Sequence, residues 1–410
     1  MMILTMLEEG KISSEEALKL LDAIDDMPEE NPEENNFNKN EDDKKINVEK
    51  TMKKVEETLK EQGKKMGDFG ADLGNKISEL VSGIKDKSSS VNFWSNYETI
   101  NTTLEKDISH LNEPILDLKS VNGGIIVKPW EKESLLLKIN CSFKKGVLDE
   151  NDTLYDFYEE DNKIIFRPIY TSNIGIKLEV YVPSKKYNSI ILKTSNAKIE
   201  TSDINLDSLI CETTNSNINI NKIDSKNINL TTKNGKIIIE KVNSSTIQAN
   251  STNSSILLGK ISGEKIFVAT KNGKIYIDEI TSNQIDGVTS NGSIEVNKIQ
   301  GKNIKLNTSN GKIICNNMNP DKIQVLELIT SNASIQTCLD EIKGETYFDL
   351  ETSLGTINLE IPSLVYEINR QNKLGTRKII AHSINYKEEE NYFKFIASTS
   401  NGSIKINKEG

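Results

Sequence analysis

The side chains that most often do chemistry are few and far apart in this sequence. His110 and His382 are the only histidines, and the four cysteines, Cys141, Cys211, Cys315 and Cys338, form no C-x-x-C pair. A zinc site gathers Cys and His at short spacings, and a disulfide framework needs dense, regular cysteines. The observed scatter fits neither and predicts reduced, mostly buried thiols. No H-E-x-x-H, phosphate loop, Ser-His-Asp set or calcium-binding nonapeptide is present. Glu240, Asp278 and Glu295 fall on different repeats, whereas glycoside cleavage needs carboxyl groups paired across one bond. Lys236, Lys274 and Lys312 follow a shared glycine and read either as a basic stripe or as solvated edge lysines. The expectation is no catalytic residue, no metal and no cofactor. A carbohydrate-active β-helix enzyme is the alternative, and it requires a groove that gathers three or more carboxylates.

The chain has 410 residues and a net charge of −10, which opposes nonspecific binding to nucleic acid. The first residues, "MMILTMLEEGKISSEEALKLL", lack a basic segment followed by an unbroken apolar one, so no secretory signal is read there. No 18 apolar residues run together, so no transmembrane helix is expected. These features predict a cytoplasmic protein, with any membrane contact peripheral at the inner face.

The elements that must position any site come from a repeat. Aligning on the asparagine of Thr-x-Asn-Gly gives Asn196, Asn215, Asn234, Asn253, Asn272, Asn291 and Asn310, at steps of 19. Asn332 follows after 22, with the extra residues near Pro320; Leu354 fills the slot after another 22, and Asn401 marks the last copy. Around each asparagine the aliphatic residues alternate, as Ile228, Leu230, Ile237 and Ile239 do around Asn234. Alternation predicts strands with one face inward. Asn-Gly between them allows positive φ and therefore a sharp corner. Each unit then reads as strand, corner, strand and a polar turn such as "NSS", "SGE" or "QGK". One such unit buries too little to fold alone, so stability requires stacking into a β-solenoid of about 19-residue coils. The threonine and asparagine share the parity of the inward aliphatics, which predicts ladders of like side chains with amides bonding from coil to coil. The competing reading is a solvent-facing Thr/Asn row that binds a ligand. Residues 110–190 read as the N-terminal cap of a domain spanning 110–410, and the charged stretch before Asn401 as the closing cap.

Ahead of the solenoid, residues 1–26 read as a small helical hairpin in which Ser13 and Glu16 fit a capping box. Residues 27–46 are charged and Asn-rich and predict a disordered linker. In residues 47–87, Met52, Leu59, Met66, Leu73 and Leu80 recur every seven residues, predicting an amphipathic helix. It would either form a coiled coil or lie on an anionic membrane.

The segments "LEVYVPSKKYNSIILKTSNAKIE", the "TSNGKI" copies and the terminal "ASTSNGSIKI" resemble a bacterial β-strand-repeat family labelled "putative adhesin", a domain of unknown function. "ILTMLEEGKISSEEALKLLDAI" is similar to the SHOCT-like helical module that heads many such proteins. The resemblance implies a right-handed β-solenoid, carries no established catalytic residues, and associates the chain with the cell envelope and envelope-stress sensing. The functional expectation is a non-enzymatic scaffold whose residues 1–87 dock to a partner, to a second copy or to a membrane surface. A self-assembling filament of the bactofilin sort is a further alternative.

Overall fold

The computed structural model describes residues 97–146, 152–372, 375–388 and 392–408. All of them belong to one unit, residues 93–410. The hairpin of 1–26, the linker of 27–46 and the amphipathic segment of 47–87 lie outside the described residues.

The 19-residue repeat becomes a stack of parallel strands. Ile218–Thr232, Ile237–Ser251, Ile256–Thr270, Ile275–Thr289 and Ile294–Thr308 each run 15 residues. Equivalent positions pair directly, so Ile218, Ile237, Ile256, Ile275 and Ile294 form one row. In parallel pairing each backbone bonds to the coils on both sides, which explains why a lone unit cannot stand. Burial follows the aliphatic pattern. Along one coil Ile237, Ile239, Val242, Ser244, Ile247, Ala249 and Ser251 point inward.

The coil differs from the expected two strands and two turns. Inward alternation breaks twice within each strand, at Glu240-Lys241 and at Ser245-Thr246, giving three inward runs per coil. The "NSS" segment is therefore a bend that keeps its pairing, because Ser244 is buried and its hydroxyl donates to Thr246 O at 3.1 Å. Satisfying that hydroxyl within the bend removes the need for an exposed turn.

The motif glycine also works otherwise than expected. None of Gly235, Gly273, Gly292 or Gly311 has positive φ; left-handed backbone occurs instead at the first bend, at Asp203, Lys222 and Asn317. A Cβ on Gly235 would lie 1.7 Å from Ser216 O of the preceding coil, and one on Gly311 1.8 Å from Gly292 O. Glycine serves close backbone approach between coils rather than a special dihedral.

At the N-terminal end two stacks flank the strand Ile199–Glu212. One continues through Tyr187–Lys193, Ile115–Lys119 and Lys163–Pro168 to Tyr155–Glu160. The other continues through Ile125–Trp130, Ile174–Pro183 and Ser134–Lys144 to Tyr97–Asp107. Both stacks turn antiparallel toward their rims, and the strand Tyr97–Asp107, which lies ahead of residue 110, pairs into the second of them.

The C-terminal end is not stacked in chain order. Beyond Ile323–Thr330 and Ile335–Leu339 lie Phe393–Thr399 and Ile404–Lys408, and only then Thr346–Thr352 and Ile357–Glu360. The coil of Asn401 thus separates the coil of Asn332 from that of Leu354, which replaces the expected order 332, 354, 401. Phe348, Phe393 and Phe395 fill the core at this junction, with ring centroids 5.9 to 6.4 Å apart. An antiparallel pair, Arg377–Ser383 and Leu364–Gln371, covers the outer edge of Thr346–Thr352.

Candidate interaction ridge

The corner between successive strands is built by the motif itself. The buried Thr232 hydroxyl donates to Ser216 O of the preceding coil at 3.1 Å and accepts from Gly235 N at 3.1 Å. Thr270, Thr289, Thr308 and Thr399 repeat both contacts. An inward hydroxyl is therefore required at this slot, since valine would leave a buried carbonyl and an N–H unpaired; Ser251 supplies it in one coil, donating to Gly235 O at 3.1 Å and accepting from Ser254 N at 3.2 Å.

The asparagines stand on the outside of the same corner. Asn196, Asn215, Asn234, Asn253, Asn272, Asn291, Asn310, Asn332 and Asn401 are all exposed, unlike the threonines, so the two residues do not share a face. Each Nδ2 donates to the Oδ1 of the preceding coil at 2.5 to 2.7 Å. Asn196 donates to Asn122 at 2.7 Å, and Asn122 Nδ2 ends the chain of bonds on Ile174 O. Asn122 belongs to "SVNGG", a copy that the 19-residue spacing misses because it lies 74 residues before Asn196. At the far end Leu354 is 70% exposed and brings no amide to Asn401.

Two further columns, of exposed and half-buried residues, flank the amides. Immediately before them stand Ser195, Thr214, Lys233, Thr252, Lys271, Ser290, Ser309, Ser331 and Ser400. Two residues after them stand Lys198, Asn217, Lys236, Ser255, Lys274, Ser293, Lys312, Ser334 and Ser403. Every lysine is followed by a neutral residue on the next coil. Strands lie about 4.8 Å apart, so like charges on adjacent coils would repel strongly, and skipping one coil doubles their separation. Lys198 pairs with Glu200 at 2.6 Å and Lys274 with Glu295 at 2.5 Å. Lys233, Lys236, Lys271 and Lys312 make no ion pair among the described residues.

The groups suited to catalysis are tied up elsewhere. His110 contacts Glu159 at 2.8 Å in the N-terminal cap, while His382 lies 3.5 Å from Glu367 on the C-terminal hairpin. Asp278 accepts from Asn297 at 3.1 Å, and Glu295 is held by Lys274. Among the described residues no three His, Cys, Asp or Glu side chains gather as a metal site would require. Cys141, Cys211 and Cys315 are buried, and that burial pushes the Cys141 thiol up to about 11 and the Cys315 thiol to about 12. A thiol so raised is not a nucleophile at neutral pH. The extra residues near Pro320 form a 3-10 turn, Pro320–Lys322, beside a shallow cavity of about 540 Å³ that Tyr392 and Glu345 also line.

Residues 142–284 match the Toastrack family model, DUF4097. The Toastrack match runs from the strand Ser134–Lys144 of the cap into the strand Ile275–Thr289 of the repeat. Residues 1–29 match a SHOCT-like domain. A crystal structure of a "putative cell adhesion protein" from Clostridium sporogenes is similar at 11% identity, covering 76% of this chain and 100% of that one, with a TM-score of 0.16. No curated protein matches the chain. No helix among the described residues is long and apolar enough to cross a membrane.

Proposed function

We propose that the chain is a non-enzymatic interaction protein, in which a rigid Toastrack solenoid presents a binding ridge and residues 1–87 dock it to a partner, to a second copy or to the inner face of the membrane. One observation carries this reading. The exposed corner is ordered along its whole length by amide-to-amide bonds of 2.5 to 2.7 Å, whereas Cys141, Cys211 and Cys315 are buried and Asp278 and Glu295 are paired. A row of donors at fixed spacing, held without a moving part, suits recognition of an extended surface rather than turnover. The match of residues 1–29 to a SHOCT-like domain supports a separate docking module ahead of the solenoid.

Deletion of residues 1–90 tests the docking half of the proposal. The expected result is a solenoid that keeps its cooperative melt but no longer floats with anionic liposomes or retains partners in a pull-down. Unchanged association after the deletion would remove the docking role from those residues.

A further inference from the structure

The ridge has a sign that the rest of the molecule does not. The whole chain carries a net charge of −10. Over the nine coils from Asn196 to Asn401, the three outer columns, exposed or half-buried, hold Lys, Asn, Ser and Thr and not one carboxylate. All six lysines stand there, and within each column they are two coils apart, about 10 Å.

We infer that this ridge is a binding track for a linear acidic polysaccharide whose carboxylates recur about every 10 Å, roughly one per disaccharide. The inference rests on the interaction-protein reading above and names the partner class for it. Unpaired Lys233, Lys236, Lys271 and Lys312 supply point charges for carboxylates. Between them, the second N–H of each asparagine amide and the Ser and Thr hydroxyls supply neutral donors and acceptors for sugar hydroxyls. The backbone N–H groups of the corner are already spent on the preceding coil, as Asn234 N is on Thr214 O at 2.8 Å, so recognition falls to these side chains. Nucleic acid fits less well. Its phosphates are denser than the lysines, and none of the three columns offers an aromatic ring on which a base could stack.

The sequence itself supplies substitutions that the fold accepts, because neighbouring coils carry Thr or Ser at the same slots. Hyaluronan oligosaccharides, with one carboxylate per disaccharide, are the probe, titrated into the full chain by calorimetry at low and physiological salt. The wild type should bind, more weakly as salt rises. The variant Lys233→Thr/Lys236→Ser/Lys271→Thr/Lys312→Ser should bind about tenfold more weakly or worse. A control of equal charge loss at other corners, Lys241→Ser/Lys265→Ser/Lys302→Ser/Lys322→Ser, should bind as the wild type does.

Equal weakening in both variants, or no binding by the wild type, overturns the inference. Tighter binding of single-stranded DNA than of hyaluronan overturns the choice of polymer. Should the ridge variant melt early, Thr252→Lys/Ser255→Lys provides a second arm. It fills the skipped coil and should raise affinity for polygalacturonate, with a carboxylate on every sugar, relative to hyaluronan; no change in that ratio counts against the track. Appearance of new reducing ends would instead overturn the non-enzymatic reading while leaving the ridge as the binding surface.

Discussion

Asn401 donates its side-chain amide to Asn332 Oδ1 at 2.7 Å across a sequence separation of 69 residues. The last coil of the chain is therefore an inserted layer, with the coil of Asn332 on one side and that of Leu354 on the other. Phe393–Thr399 pairs in parallel with both Ile323–Thr330 and Thr346–Thr352.

Truncation after residue 391 should consequently damage more than the chain end. It removes Phe393, Phe395, Ile404 and Ile406, all buried, and strips the strand Thr346–Thr352 of its parallel neighbour. Hydrogen exchange should show residues 346–383 losing protection together while residues 199–308 keep theirs, since stability in a stack is passed between nearest neighbours. Protection retained at 346–352 would contradict the inserted order.

The amide ladder predicts opposite signs for two substitutions. Asn291→Ala breaks the bonds to Asn272 and from Asn310, each 2.6 to 2.7 Å, and should cost about 1–2 kcal/mol because the groups are exposed and water partly replaces them. Leu354→Asn offers a donor to Asn401 and removes an exposed aliphatic, so it should raise stability by about 0.5–1 kcal/mol. Urea melts of both variants measure the pair.

How much of this was legible in the sequence depends on the range of the interaction. The steps of 19 from Asn196 to Asn310 fixed the register because in-register stacking makes each coil the template of the next. The inward rows, such as Ile237 with Ile256, follow from alternation alone. The bend at Ser245-Thr246 looks like a turn in sequence because small polar residues favour both, and only the buried Ser244 distinguishes them. Asn122 and the placement of Asn401 were hidden for another reason. A strand can join a stack from any distance along the chain, and periodicity records only neighbours in sequence. Parity alone places the asparagine ladder inward, because it resumes that of the strand before the corner, while the corner itself turns the chain outward and leaves the amides exposed.

Glycine at the motif is demanded by distance, and that is testable apart from dihedral effects. Gly311→Ala would place its Cβ 1.8 Å from Gly292 O, a contact only backbone movement can relieve. The expected loss is about 2–3 kcal/mol, at the upper end for a single methyl. Gly146, where φ is +74° and nothing lies within 4 Å, should respond less to the same change, since its penalty is only the left-handed backbone. Thermal melts of the two variants separate close approach from dihedral strain as the reason for a glycine.

Asp117 makes the stability of the N-terminal cap depend on pH. The residue is 8% exposed, and its carboxylate meets Lys163 at 2.8 Å and Arg167 at 2.5 Å. Burial pulls its pKa upward, but the hydrogen bonds and charges of Arg167 and Lys163 outweigh it and hold the group below its ordinary value of 3.8. A carboxyl whose pKa is lower folded than unfolded binds fewer protons when folded, so its stabilisation is full above the unfolded value and is lost as pH falls through the folded one. Asp117→Asn should therefore destabilise the cap at pH 7, leaving Arg167 and Lys163 without their shared carboxylate, by about 1–3 kcal/mol. The gap between variant and wild type should stay constant from pH 7 to about 5 and narrow below about 4 as the wild-type carboxyl takes up its proton. Melting curves at intervals of pH follow this directly; a gap that does not narrow in acid would mean that Asp117 supports the cap through shape rather than charge.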